Sequence, residues 1–234
     1  MANAERKADG SRMPLMKIVF MGDSITFGQY VDQQLRWTDL LADCISRKYI
    51  QMSVNFLFAN RGVSGETTRQ GLERFPNDVQ AIRPDIMTLQ FGLNDCNCWV
   101  TDEGLPRVSE AAYRANLFEM IERARRFGAR RIILSTNHPT LRHKILLSGE
   151  SLETRRKRYN QIVREVAQAG RVILCDIEDA FGGLSGTMLG KLLLPYPDQL
   201  HLTGLGHQRY AEAIKPLLES AIEEAIMWTE ENDK

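Results

Sequence analysis

The chain has 234 residues, which fits one large domain, and 43% of them are apolar, which is enough to bury a core. Lysine and arginine together number 30, as do aspartate and glutamate, so the formal net charge is zero. This composition argues against a disordered chain and against a surface that is basic throughout, of the kind that attracts nucleic acid.

Short apolar runs, each typical of a buried strand, alternate along the chain with stretches of helical spacing. Strands are predicted at residues 17–21, 54–59, 85–91, 131–136 and 171–176. Helices are predicted at residues 35–49, 110–127, 152–169 and 204–228, with shorter helical pieces over 67–82 that are interrupted at Pro76. This alternation predicts an α/β fold with a five-stranded parallel sheet that is covered by helices on both faces.

The organisation of the chain is simple. Residues 1–14 are polar and are predicted to form a flexible leader, and residues 15–234 a single catalytic domain. No run approaches the roughly 18 apolar residues of a membrane span, and four cysteines are too few for a disulfide framework, so we expect a cytoplasmic protein. Three segments, 96–109, 139–151 and 179–197, are longer than simple connections and are expected to shape a pocket; the last is either a lid or part of the core.

The stretch GDSITFG, residues 22–28, follows the first predicted strand. In a parallel sheet ligands bind at the carboxyl ends of the strands, so Ser24 is placed where a nucleophile would be useful. The same stretch also fits an ordinary strand-to-helix turn that is capped by Asp23 or Ser24. Whether Ser24 is a nucleophile or only a turn residue depends on whether the chain supplies catalytic partners for it.

A serine hydroxyl needs a base, and His201 in DQLHL is the best candidate among the four histidines. Asp198 lies three residues earlier, a spacing at which a carboxylate in a tight turn can orient an imidazole. A solvated loop with an incidental pair is the alternative. His207, in the first turns of the last helix, lacks such an acidic partner.

Acyl transfer also needs hydrogen-bond donors for an oxyanion. Gly65, in NRGVSGETT, lets a backbone N–H approach a substrate closely, and Asn94, in FGLNDCN, carries a side-chain amide. Each stretch is also compatible with an ordinary turn. Together with Ser24 and the Asp198–His201 pair, however, they follow strand ends on one predicted edge and supply the full set of groups for acyl transfer.

These four stretches resemble the signature blocks of the SGNH hydrolases, the GDSL-like esterase/lipase superfamily, in the family order over residues 22–201. The resemblance implies a flavodoxin-like three-layer α/β/α sandwich. It implies Ser24 as nucleophile, His201 as base and Asp198 as its partner, with an oxyanion hole formed by Ser24, Gly65 and Asn94. Ile25 stands where the family pattern usually has leucine, which leaves the chemistry untouched.

The implied activity is hydrolysis of a carboxylic ester, with a small or carbohydrate-linked acyl group such as acetyl, through an acyl-enzyme and without a metal or organic cofactor. The expected partner is a small-molecule ester, and the oligomeric state is left open. Two alternatives use the same fold: an acyltransferase that passes the acyl group to a sugar or other alcohol, and a non-catalytic binding module.

Several other features bear on the site. Residues at the same predicted strand ends are further candidates for the pocket: Asp23, Asn60, Asp95 and His138.

Cys96 and Cys98 are separated by one residue and have no second pair of ligands nearby, so no metal site is predicted. The basic run at 153–159 is interpreted as a solvated helix face, with attraction of an anionic substrate or partner as the alternative.

Overall fold

The computed structural model describes residues 15–52 and 54–232. The predicted leader at residues 1–14 lies outside the described residues. Five parallel strands form one sheet in the order β2-β1-β3-β4-β5, which is the flavodoxin-like order. They are β1 Leu15–Gly22, β2 Asn55–Gly62, β3 Ile86–Gln90, β4 Arg131–Ser135 and β5 Ile173–Cys175. The predicted fold class is confirmed.

Helices lie between the strands and after the last one. They are α1 Ser24–Phe27, α2 Trp37–Tyr49, α3 Thr68–Phe75, α4 Glu110–Arg126, α5 Leu152–Gly170, α6 Ile177–Ala180, α7 Gly186–Leu192 and α8 Gly204–Asn232. Short 3-10 turns cover Gln33–Leu35, Ile50–Met52 and Val100–Asp102.

The strands alternate between two apolar cores because successive side chains point to opposite faces of the sheet. In β1, Ile18 and Phe20 join the core under α2 and α8, whereas Val19 and Met21 join the core under α3, α4 and α5. Both faces are therefore covered. The carboxyl ends of all five strands meet at one edge, which is where the polar motifs of the sequence lie.

The structure differs from the predicted elements in local details. The prediction that Pro76 interrupts the helical stretch at 67–82 was wrong, because α3 runs directly into a π-helical turn at Pro76–Gln80. Helix α5 ends one residue later than predicted, at Gly170, and the next residue, Arg171, has a left-handed backbone conformation (φ 51°). The segment 179–197, for which a lid and a part of the core were both open, contains α7, which is capped by Ser185 and whose Leu189 is buried in the core beside α8.

No helix within the described part of the chain has an apolar stretch of the length needed to cross a membrane.

Candidate active site

Ser24 lies at the turn between β1 and the one-turn helix α1. Asp23 caps this helix, since its Oδ1 accepts a hydrogen bond from the backbone N–H of Ile25 at 2.9 Å. Ser24 is the first residue of the helix, so its N–H has no partner inside the helix and points out of its amino end. Gly22 is required for this turn, because a Cβ at that position would lie 2.1 Å from Thr26 Oγ1.

The structure brings Ser24, His201 and Asp198 together. His201 Nε2 lies 2.9 Å from Ser24 Oγ, and His201 Nδ1 lies 2.8 Å from Asp198 Oδ2. These are hydrogen-bond distances, so the imidazole can accept the serine proton while its other nitrogen donates to the carboxylate. The ring of Tyr30 stands edge-on to the imidazole, with ring centroids 5.2 Å apart.

The carboxylate of Asp198 is held by the backbone of its own turn. Its Oδ1 accepts hydrogen bonds from the N–H groups of Leu200 at 3.0 Å and His201 at 2.6 Å. Partial burial alone would raise the pKa of Asp198, but the hydrogen bonds from the backbone and imidazole of His201 outweigh it and hold the pKa below its ordinary value. Asp198 is therefore ionised at neutral pH and can stabilise a positively charged imidazole.

Hydrogen-bond donors face Ser24 from two other strand ends. Gly65 has a left-handed backbone conformation (φ 79°), and among the described residues its N–H has no hydrogen-bond partner. Asn94 donates one hydrogen of its side-chain amide to the carbonyl oxygen of Glu66 at 3.0 Å, which leaves the other hydrogen available. With the N–H of Ser24, these groups form the kind of donor cluster that stabilises an oxyanion.

A cavity of about 300 Å³ opens in front of Ser24. Its lining combines the site residues with polar side chains from the long connecting segments. The lining residues are Ser24, Gln29, Ser64, Gly65, Leu93, Asn94, Asn97, Arg142, Leu200 and His201. The volume suits a small ligand or the acyl end of a larger one.

The four further pocket candidates do not line this cavity, so that prediction was wrong. Asp23, Asp95 and His138 are buried to 1% exposure or less, and Asn60 is held by hydrogen bonds to Thr26 O and Thr38 Oγ1. They lie behind the cavity and support it. All four lie near the carboxyl ends of strands, with Asn60 still inside β2, but their side chains face the interior because buried backbone groups there need partners.

Asp95 shows how such a residue supports the site. Its Oδ1 accepts hydrogen bonds from the N–H and the hydroxyl of Thr68, at 2.9 Å and 2.6 Å. Thr68 begins α3, so Asp95 fixes the start of this helix and the end of the loop that carries Gly65. The segments that carry Gly65 and Asn94 are thus tied to a common buried anchor.

The other histidines do not contact Ser24. Burial lowers the pKa of His138 to about 4 and that of His207 to about 3, so both are neutral at physiological pH. His207 Nδ1 instead accepts a hydrogen bond from the backbone N–H of Trp37 at 3.4 Å. Of these histidines, His201 is the one in hydrogen-bond contact with Ser24.

Sequence reasoning missed the cavity residues Gln29, Ser64, Asn97 and Arg142 and the neighbouring Tyr30. Asn97 and Arg142 fall in the long segments 96–109 and 139–151, which were expected to shape a pocket without a named residue. Arg142 contacts Asp198 directly: its Nε donates to the carbonyl oxygen of Asp198 at 2.9 Å, and its Nη2 lies 3.6 Å from Asp198 Oδ2.

The described residues contain no group of three or more histidine, cysteine or acidic side chains that could hold a metal ion. Cys96 and Cys98 are free thiols, both buried.

Comparison with known proteins gives one consistent family. The model of the GDSL-like lipase/acylhydrolase family matches residues 20–209. The isoamyl acetate-hydrolyzing esterase 1 homolog of Mus musculus is 30% identical over 95% of this chain and 89% of its own length. An uncharacterised lipoprotein of Bacillus subtilis, YqeF, is 32% identical over 50% of this chain, and this chain spans about half (47%) of its length.

The fold is also found among solved structures. The crystal structure of Axe2, an acetylxylan esterase from Geobacillus stearothermophilus, superposes with a TM-score of 0.68 over 86% of this chain and 94% of that one. The two sequences are 20% identical, so this likeness shows the shared fold.

Proposed function

The chain belongs to the GDSL-like lipase/acylhydrolase family and is an ester-bond hydrolase, and on this premise we propose that it cleaves small carboxylic esters through an acyl-enzyme formed on Ser24. The observation that carries the proposal is the position of His201, whose imidazole lies between Ser24 Oγ at 2.9 Å and Asp198 Oδ2 at 2.8 Å. A base in hydrogen-bond contact with both a nucleophile and an orienting carboxylate is the arrangement that activates a serine.

Acylation would begin when Ser24 Oγ attacks the ester carbonyl and His201 Nε2 accepts the serine proton. Asp198 stabilises the imidazolium that forms. The carbonyl oxygen becomes an oxyanion, held by the N–H groups of Ser24 and Gly65 and by the Asn94 amide. Collapse of this intermediate breaks the bond to the alcohol, which leaves with the proton from His201.

Deacylation repeats these steps with water. His201 takes a proton from a water molecule as its oxygen attacks the acyl-Ser24 carbonyl, and the same donors hold the second oxyanion. Ser24 then leaves as a hydroxyl with the proton returned by His201, and a carboxylic acid is released. Apart from the ester and one water molecule, the reaction needs only the residues of the site.

A small acyl group, such as acetyl, fits the proposal best. The cavity of about 300 Å³ limits the group that can sit in front of Ser24. The mouse relative and Axe2 are named for acetate and acetylxylan esters, which supports acetyl esters of simple or carbohydrate alcohols as first substrates.

We further propose that residues 15–234 act as one catalytic domain. The cysteines at 44, 96, 98 and 175 are free thiols, which supports a reducing, cytoplasmic location.

Turnover of 4-nitrophenyl acetate and labelling by a fluorophosphonate probe test the proposal. Ser24→Ala is expected to abolish both, while Ser64→Ala, which changes another serine of the same cavity, should leave labelling intact. Labelling of a folded Ser24→Ala protein at the wild-type rate would rule out Ser24 as nucleophile. Product analysis with added sugar and alcohol acceptors separates hydrolysis from acyl transfer, because a transferase would form new esters in preference to free acid.

A further inference from the structure

Positively charged side chains lie close to the cavity. Arg142 lines it directly. Lys144 contacts the lining residue Asn97, where its Nζ donates to Asn97 Oδ1 at 2.8 Å. Arg107 contacts the lining residue Gly65, where its Nη1 donates to the carbonyl oxygen of Gly65 at 2.9 Å. Three cations therefore lie around a site in a chain whose overall charge is zero.

Among the described residues, none of these three cations donates a hydrogen bond to a carboxylate. Lys144 donates to Asn97 Oδ1 and Cys98 O, and Arg107 to Gly65 O and Gln70 Oε1, all of them uncharged oxygens. Arg142 lies in ion-pair range of one carboxylate, Asp198, at 3.6 Å, and Asp95 and Asp102 act on the charge of Arg107 from a longer distance. The rim of the cavity therefore carries cationic groups that have no hydrogen bond to a carboxylate.

The nearby acidic side chains make their hydrogen bonds to other groups than these three cations. Asp198 is bound to His201, the carboxylate of Glu66 to Arg74 at 2.5 Å, and that of Asp102 to the backbone N–H of Trp99 at 2.6 Å. Asp95 is fully buried under the site. Apart from the triad carboxylate behind His201, no acidic side chain of the described residues faces the cavity.

Two donors in the cavity wall have no protein partner among the described residues. The amide oxygen of Asn97 accepts from Lys144 Nζ and from the N–H of Cys98, so its Nδ2 is left as a donor. Arg142 uses its Nε on Asp198 O, and its Nη1 makes no hydrogen bond to the described residues. A planar guanidinium with free N–H groups is well suited to bind an anionic oxygen group.

We propose that the preferred substrates are esters that carry an anionic oxygen group, a carboxylate or a phosphate, a few bonds from the scissile carbonyl. Arg142 and Asn97 bind this group, and Arg107 and Lys144 add the field that attracts it. The inference rests on the proposed function, since it names the substrate class of the same site.

Pairs of esters that differ in the charge of one substituent test this substrate preference. On the alcohol side, 3-carboxyphenyl acetate and 3-(phosphonooxy)phenyl acetate are compared with neutral 3-carbamoylphenyl acetate; on the acyl side, mono-4-nitrophenyl adipate is compared with its methyl ester. Arg142→Gln should lower kcat/KM for the anionic member about tenfold more than for the neutral one, as expected for loss of a hydrogen bond to a charged group. This ratio cancels the intrinsic reactivities and any effect of Arg142 on Asp198.

Arg126→Gln provides the matched control, because it removes the same charge from the exposed end of α4, at the opposite edge of the sheet. It should leave the ratio unchanged. In the wild-type protein, added salt should lower kcat/KM for the anionic esters and leave the neutral ones unaffected. Equal losses on both members of each pair, or no salt dependence, would overturn the inference.

Binding to the Ser24→Ala protein separates the inference from the proposed function. By titration calorimetry, 3-carboxyphenyl acetate should bind more tightly than its carbamoyl analogue, and Arg142→Gln in the same background should remove the difference. Charge-selective binding by Ser24→Ala, together with a wild-type protein that turns over no ester, would contradict the proposed function alone. Ser24-dependent turnover without charge preference would contradict the inference alone. The carboxylate and phosphate arms show which anion is preferred.

Discussion

Asn94 donates a side-chain N–H to the carbonyl oxygen of Glu66 at 3.0 Å. This bond fixes the amide orientation and leaves the second amide hydrogen free in the cavity that Asn94 and Ser24 both line. If that hydrogen binds the oxyanion, Asn94→Ala should lower kcat for 4-nitrophenyl acetate by roughly 10²–10³ with little change in KM. Asn77→Ala, which changes an exposed asparagine outside the cavity, is the control and should leave kcat intact. A change in KM alone would assign Asn94 to ground-state binding instead.

Asp198→Asn should keep the turn but weaken the base. An asparagine oxygen can still accept from the N–H groups of Leu200 and His201, but the neutral amide does not stabilise an imidazolium. We expect kcat to fall by up to about 10⁴ while the protein remains folded. Steady-state kinetics and the rate of fluorophosphonate labelling measure the loss, with Asp43→Asn on the exposed face of α2 as the control. Wild-type kinetics for Asp198→Asn would remove Asp198 from the mechanism.

Arg74 is expected to act as a positioning residue. It donates to Glu66 Oε2 at 2.5 Å and to the carbonyl oxygen of Gly22 at 3.0 Å, and so joins the loop that orients Asn94 to the strand end before Ser24. Arg74→Met should lower kcat roughly ten- to a hundredfold with a smaller effect on KM, because small misplacements of reacting groups are costly.

Two further variants make the role of Arg74 specific. Arg74→Lys should restore part of kcat, since an ammonium can keep part of the contacts that Arg74 makes with Glu66, Asp78 and Gly22. Arg69→Met, on the exposed side of the same helix, should have no effect. A parallel loss of folding stability and activity in Arg74→Met, with no rescue by lysine, would point to a structural role only.

Asp23 makes stability depend on pH. Burial raises the pKa of Asp23 from 3.8 to about 7, with the nearby Asp95 adding to the effect. The folded state therefore holds a proton that the unfolded chain releases, so this contribution to stability is full below pH about 4 and is lost as the pH rises to about 7. Asp23→Asn keeps an acceptor for the Ile25 N–H but does not titrate.

Thermal unfolding from pH 4 to pH 7 checks this prediction. The Tm of Asp23→Asn minus that of the wild type should increase with pH across this window. Asp179→Asn, which changes an exposed carboxyl, should show no such trend. A difference that stays constant or falls with pH would contradict the raised pKa.

Three residues of the proposed chemistry could be predicted because each follows a strand. Ser24, Gly65 and Asn94 come after apolar runs whose parallel packing brings their ends to one edge. His201 follows no strand, but its spacing from Asp198 indicated the local pair. The distance from this pair to Ser24 depends on tertiary structure and could not be read from the sequence; in the structure His201 Nε2 lies 2.9 Å from Ser24 Oγ.

The cavity walls could not be predicted in this way. Arg142 and Asn97 lie in irregular segments without periodicity, so nothing in the sequence indicates which side chain faces the cavity. The basic run at 153–159 was likewise misinterpreted as a solvated face: Arg155 and Arg156 are 3% and 1% exposed. Arg156 pairs with Glu153 and with Glu178, which lies on a different helix, so its burial depends on contacts between distant parts of the chain.

Ser24 and His201 are separated by 177 positions along the chain. During synthesis at about 5–20 residues per second, the serine is made roughly ten seconds or more before its base. Until the turn that carries His201 docks against the sheet edge, Ser24 has no base at hand and only the weak nucleophilicity of an ordinary hydroxyl. The nascent chain is therefore inert toward esters, and the onset of fluorophosphonate labelling would report the moment at which the carboxyl-terminal part of the fold is complete.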